Sequence, residues 1–141
     1  MRYLAIDPGA KRTGLAIADD QTAIATPLEV IETGSETERL RRIQQAITRE
    51  QPDALVLGLP MNMDDTEGPA AKLSRAFAKQ LEEATGLTVH LTDERLTSDA
   101  ADAQMAQSGL THKQKKQRRD ALAAAVLLQN FLSNPGQTES H

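Results

Sequence analysis

The 141-residue chain has no cysteine and no tryptophan, and its aromatic side chains are Tyr3, Phe77 and Phe131. Without thiols there is no disulfide framework, thiolate zinc site or cysteine nucleophile, which fits an intracellular protein. So few rings leave little on which single-stranded bases could stack, and favour contacts to a phosphate backbone instead. No apolar run approaches the roughly 18 residues of a membrane-spanning helix, and the N-terminus lacks the basic flank and apolar stretch of a signal peptide. A cytoplasmic protein with no membrane contact is expected. The length suits one domain, 1–133, followed by a polar, disordered tail over 134–141 that contains Pro135-Gly136.

Positive charge is also in deficit, with 16 Lys and Arg against 20 Asp and Glu and a net charge of −4. Taken alone, that balance argues against a phosphate-bearing partner. Its distribution argues the other way, because Lys113, Lys115, Lys116, Arg118 and Arg119 fall together with no acid until Asp120. Positive charge at a helix start opposes the macrodipole, so the cluster is either a solvated basic face or a phosphate-binding patch, and the patch is favoured.

Apolar runs at 2–7, 14–18 and 25–31, separated by turn-forming segments, predict a three-stranded antiparallel meander. Ser35 and Glu38 form a capping box ahead of Leu40, Ile43 and Ile47, predicting a helix over 35–51 that Pro52 stops. Residues 54–57 predict a strand buried on both faces. Thr66 is placed to cap a second helix, with Pro69 in its first turn, a stripe of Leu73, Phe77 and Leu81, and Gly86 as terminator. A fifth strand is expected over 87–92, a third helix over about 97–107 and a fourth from Thr111 to Leu132. The order gives an α/β sandwich whose mixed sheet joins the meander to two parallel strands, with strands one, four and five central.

Three acids terminate elements of this pattern. Asp7 closes the first strand before Pro8-Gly9, at the sheet edge where α/β proteins bind ligands; a turn cap is the equal alternative. Asp120 shares helical register with Ala123, Ala124, Leu127, Leu128 and Phe131, the face that packs onto the sheet, so it needs a metal, a salt bridge to Arg118 or Arg119, or a place at the rim of that face. Asp93-Glu94-Arg95 follows the fifth strand; such a run is ordinarily a solvated, self-paired turn, and only its convergence with the other acids raises its value. Carboxylates delivered from three elements to one edge are the oxygen donors that hard divalent cations take in phosphodiester hydrolysis. The loop from Gly58 to Glu67 reaches the same edge, although turn chemistry alone accounts for its composition.

Asp7-Pro8-Gly9-Ala10-Lys11-Arg12-Thr13-Gly14, then Gly58-Leu59-Pro60 running to Met63-Asp64-Asp65-Thr66-Glu67, then Asp93-Glu94-Arg95-Leu96-Thr97-Ser98, then Asp120-Ala121 before an alanine-rich helix, resemble the four motifs of the YqgF (RuvX) family. Order and spacing agree from residue 2 to about 132. The resemblance implies an RNase H-like fold, with a five-stranded mixed sheet and helices on both faces. It further implies a nuclease, described for the family as a Holliday junction resolvase or as the processing nuclease for the 5′ end of precursor 16S rRNA. Carried over by position, Asp7, Glu94 and Asp120 become the catalytic triad binding two Mg²⁺ or Mn²⁺ ions, with Asp93 as the alternative to Glu94. Lys11, Arg12 and the 113–119 cluster would hold structured RNA or branched DNA, and Asn62, Thr66 and Glu67 would line the site's edge. A junction resolvase would be expected to act as a homodimer with two active sites. Asp65 stands where the family commonly has glycine, so a position favouring positive φ is filled by a residue that tolerates it less well.

Two rivals remain in view. Asp7-x-Gly9 also resembles the first phosphate loop of the actin and hexokinase ATPase fold, but that fold needs two such domains. A non-catalytic RNA-binding assembly factor would keep the basic patch, yet gains nothing from three clustered acids.

Overall fold

The computed structural model describes residues 1–9, 11–93, 112–133 and 139–140. Strands β1 (Arg2–Pro8), β2 (Arg12–Asp19) and β3 (Thr26–Glu32) form the expected antiparallel meander. β4 (Ala54–Leu59) and β5 (Thr88–Asp93) add in parallel, giving the order β3-β2-β1-β4-β5. A two-residue strand, β6 (Glu139–Ser140), pairs antiparallel with β5 through Leu91 and His90. The sheet therefore gains a short edge strand from within the tail that was expected to be free.

Helices α1 (Glu36–Glu50) and α2 (Pro69–Thr85) cover one face and α3 (His112–Ser133) the other. Alternation along each strand feeds two cores. Leu4, Ile6, Leu55, Leu57, Val89 and Leu91 meet Ile43, Phe77 and Leu81 beneath α1 and α2. Ala5, Ala16, Ala18 and Val56 meet Ala124, Leu128 and Phe131 beneath α3. The second core is built largely of alanine, so α3 packs close to the sheet. Each fully buried Leu or Ile contributes about 1.5–3 kcal/mol.

Local signals account for most helix ends. Ser35 caps α1, its Oγ accepting from the Glu38 amide at 3.2 Å. The reciprocal half of the box is replaced, because the Ser35 amide donates to Thr33 Oγ1 and the Glu38 carboxylate pairs with Arg41. Gln51, just before Pro52, closes the helix at φ 51°, and Gly86 closes α2 at φ 73°.

Two expectations for α2 are corrected. Gly68, not Thr66, is the N-cap; Thr66 instead donates its amide and hydroxyl to Asp64, a local turn that competes with capping. Leu73 is 73% exposed, and the buried face comprises Ala71, Ser74, Phe77, Ala78 and Leu81. Small residues at three- and four-residue steps carry that face, so counting only large apolar side chains rotated the stripe off it. The helix expected over 97–107 lies outside the described residues.

Candidate active site

Strand parity sorts the acids onto faces. In β1, Tyr3 and Ala5 belong to the α3 core; Asp7 continues that row and is half-buried at the C-terminal edge. It pairs with Gly14 of β2. One step beyond the Ile6–Leu57 pair, it falls beside Gly58 of β4. The positions directly beside it on both neighbouring strands are therefore glycine.

Gly14 also sets the approach of α3. A Cβ built there would lie 1.8 Å from the Asp120 carbonyl oxygen and 2.9 Å from the Ala121 nitrogen, so the helix main chain rests on the glycine. Asp7 and Asp120 are thereby brought to one face and one edge, although they are more than a hundred residues apart. An isolated glycine in an apolar strand is the sequence signal for such an approach, and the sequence expectations gave Gly14 no role beyond its motif.

Asp120 is half-buried, with Ala121, Ala123, Ala124, Leu127, Leu128 and Phe131 buried along the same helix. Burial raises its carboxyl pKa; Arg12 and Arg119 oppose the rise and Glu32 adds to it. Arg12 stands in the row of Gly14 and Ala16 on the α3 side, 3.7 Å from Glu32, and its Nε is buried without an acceptor among the described residues. Lys11 is exposed on the β1–β2 turn, where its carbonyl accepts from the Thr33 amide.

The middle acid divides. Asp93 ends β5 in register with Leu59, and its parity follows Val89 and Leu91 onto the α1/α2 face, opposite to Asp7 and Asp120. Glu94 lies outside the described residues. Among the described residues no group of three His, Asp or Glu gathers as a cation site. Arg119 is exposed on α3, and Lys113, Lys115, Lys116 and Arg118 belong to its first turns, with side chains outside what is described.

The loop after β4 is held by its own bonds. Asn62 donates its amide to the Thr66 carbonyl at 2.8 Å and its Nδ2 to Thr66 Oγ1 at 3.0 Å. Asp65 adopts φ 68°, occupying in a non-glycine residue the conformation that the family's glycine would supply. Glu67 is gripped by Arg75 at 2.6 and 2.7 Å, which holds its carboxyl below the usual range. Glu67 thus anchors the loop to α2.

The donor chemistry suits a hard divalent cation. Asp120 is a carboxylate that burial disfavours, sharing a face with Asp7 beside two glycines, and an oxygen-seeking cation would compensate that cost. A stability test follows. Because the folded-state pKa is raised, ionised Asp120 costs stability above that pKa, and the cost vanishes below the unfolded-state value near 4. In chelator, Asp120→Asn is expected to raise Tm at neutral pH, with the gain fading toward pH 3. Thermal melts across pH check it; a gain that grows on acidification would refute the assignment of burial as the cause.

Residues 1–134 match the RuvX family, described as Holliday junction resolvase. A protein of Anaeromyxobacter sp. (strain Fw109-5) named "Putative pre-16S rRNA nuclease" is 42% identical over 132 residues, covering 94% of this chain and 96% of its own. One of the same name from Geobacillus sp. (strain WCH70) is 38% identical over 136 residues, covering 95% and 99%. Among solved structures, Thermus thermophilus RuvC in complex with a Holliday junction substrate superposes with a TM-score of 0.60 at 18% identity over 100% of both chains. The fowlpox virus resolvase with Holliday junction DNA gives 0.61 at 14% identity over 96% and 99%. These likenesses establish the RNase H-like fold.

Proposed function

The chain belongs to the RuvX (YqgF) family, and we propose that it is a divalent-metal-dependent endonuclease that matures the 5′ end of precursor 16S rRNA. The observation that carries the reading is the seating of α3 on Gly14, which delivers Asp120 to the face and edge that hold Asp7.

Asp7 and Asp120 would hold the cations together with Glu94, the acid that the family resemblance assigns and that directly follows Asp93 in the sequence. Bound divalent ions supply activation of a water and stabilisation of the leaving oxygen in in-line displacement. No side chain acts as nucleophile. Lys11, Arg12 and the basic start of α3 hold the strand by its phosphates, which makes binding tolerant of sequence and sensitive to salt. Arg12 has a buried donor with no acceptor among the described residues, and a phosphate oxygen would satisfy it.

The family's description as Holliday junction resolvase favours branched DNA as the second reading. One assay separates the two. Purified protein with Mg²⁺ or Mn²⁺ is expected to cleave precursor 16S rRNA at its 5′ side in preference to a four-way DNA junction, and chelator should abolish cleavage. Faster resolution of the junction would reverse the assignment, and activity persisting in chelator would remove the metal from it.

A further inference from the structure

On the face opposite α3, a groove of about 340 Å³ opens at the same sheet edge. Its lining includes Pro8 and Gly9, which directly follow Asp7, and Arg39, Pro60, Leu73 and Phe77. Arg39 comes from α1, and its side chain is only 14% exposed. Glu36 holds its Nη2, Nη1 donates to the Gly9 carbonyl at 3.3 Å, and the guanidinium carbon sits 4.9 Å from the centroid of the Phe77 ring. Its Nε is buried and meets no acceptor among the described residues, a costly state for a charged group unless a ligand supplies one. Leu73, with most of its side chain in solvent, stands at the rim. Of the three aromatic rings, Phe77 alone belongs here; Tyr3 and Phe131 pack with His90 beneath α3.

We infer that this groove takes an unpaired base of the substrate strand, flanking the phosphodiester at Asp7. The inference rests on the nuclease reading above. The lining matches a base better than a phosphate. A phosphate wants several converging donors, whereas each terminal nitrogen of Arg39 is already turned to a protein acceptor, Gly9 or Glu36, and the buried Nε–H offers a single direction, the right complement for a base carbonyl or ring nitrogen. The apolar walls and the guanidinium plane suit the face of a base. A duplex would keep its bases stacked and paired, so only an unpaired nucleotide can enter. Because Pro8 and Gly9 continue directly from Asp7, a strand lying over the acids on the α3 side reaches the groove by crossing the end of β1. The groove would then favour cleavage beside unpaired nucleotides, a preference set away from the acids.

The test reads binding in chelator, with no cleavage required. The probes are a short single-stranded RNA, the same ribose-phosphate backbone stripped of its bases, and the strand paired in a duplex. Wild-type protein should bind the single strand about tenfold more tightly than the base-free strand, and should shift the Leu73 methyl resonances with the first probe alone. Leu73→Asp, at an exposed position in the N-terminal half of α2, should retain the fold and lose most of that preference, as should Arg39→Gln. Equal binding of the two strands by wild type, or a preference that survives both substitutions, overturns the inference. Failure to cleave any substrate would remove the nuclease reading and leave this binding result standing.

Discussion

Asp7→Asn is expected to lower cleavage by about 10³-fold or more while leaving the fold and the affinity for nucleic acid nearly unchanged. The substitution keeps the shape of the side chain and replaces one anionic oxygen with an amide, so packing at the end of β1 has no reason to change. The chemistry has every reason to change. Asp7 is half-buried between Gly14 and Gly58 on the α3 side, where it shares its face with Asp120. An amide there cannot replace a carboxylate toward a hard cation. Circular dichroism, a binding titration in chelator and single-turnover cleavage with Mn²⁺ separate the three quantities. Equal cleavage by variant and wild type would mean that the activity came from a contaminant and that Asp7 is not part of the machinery. Loss of cleavage together with the melting transition would instead mark Asp7 as a structural turn cap.

The strands and α1 were legible because one kind of signal dominated each of them: continuous apolar runs for β1 and β4, Ser35 and Pro52 at the two ends of α1. Competition between signals made α2 less so. Thr66 has the chemistry of a cap, but Asp64 lies two residues before it and captures its amide and hydroxyl, leaving Gly68 to begin the helix with Pro69 behind it. The site was legible in its components and not in its faces. That Asp7 ends a strand follows from the sequence; that it shares a face with Asp120, and that Asp93 does not, depends on where β5 ends and on which side α3 docks. Arg39 carried no sequence signal, and Phe77 carried only that of a helix's apolar stripe. They lie on different helices, and their stacking beside Gly9 exists only because both helices pack on the same side of the sheet.

Gly14→Ala should be nearly as damaging to activity as loss of an acid, without touching a charged group. The added methyl would sit 1.8 Å from the Asp120 carbonyl oxygen and 2.3 Å from its carbon, both main-chain atoms that no rotamer change can move. Either α3 retreats from the sheet or β2 bends away from it. Overpacking of this kind costs about 1–3 kcal/mol. The core under α3 is built largely of alanine, whose methyl groups cannot follow the helix outward, so voids open beside Ala16 and Ala18. A displacement near 1 Å at Asp120 is sufficient to reduce cleavage by roughly 10²-fold, because the acids act only in register with one another. Gly34→Ala is the control, since a Cβ there meets nothing within 4 Å. Melting curves and cleavage rates measured well below Tm should show Gly34→Ala close to wild type and Gly14→Ala reduced in both. A Gly14→Ala protein with wild-type Tm and rate would show that α3 does not rest on β2 as described, and would take with it the argument that brings Asp120 to Asp7.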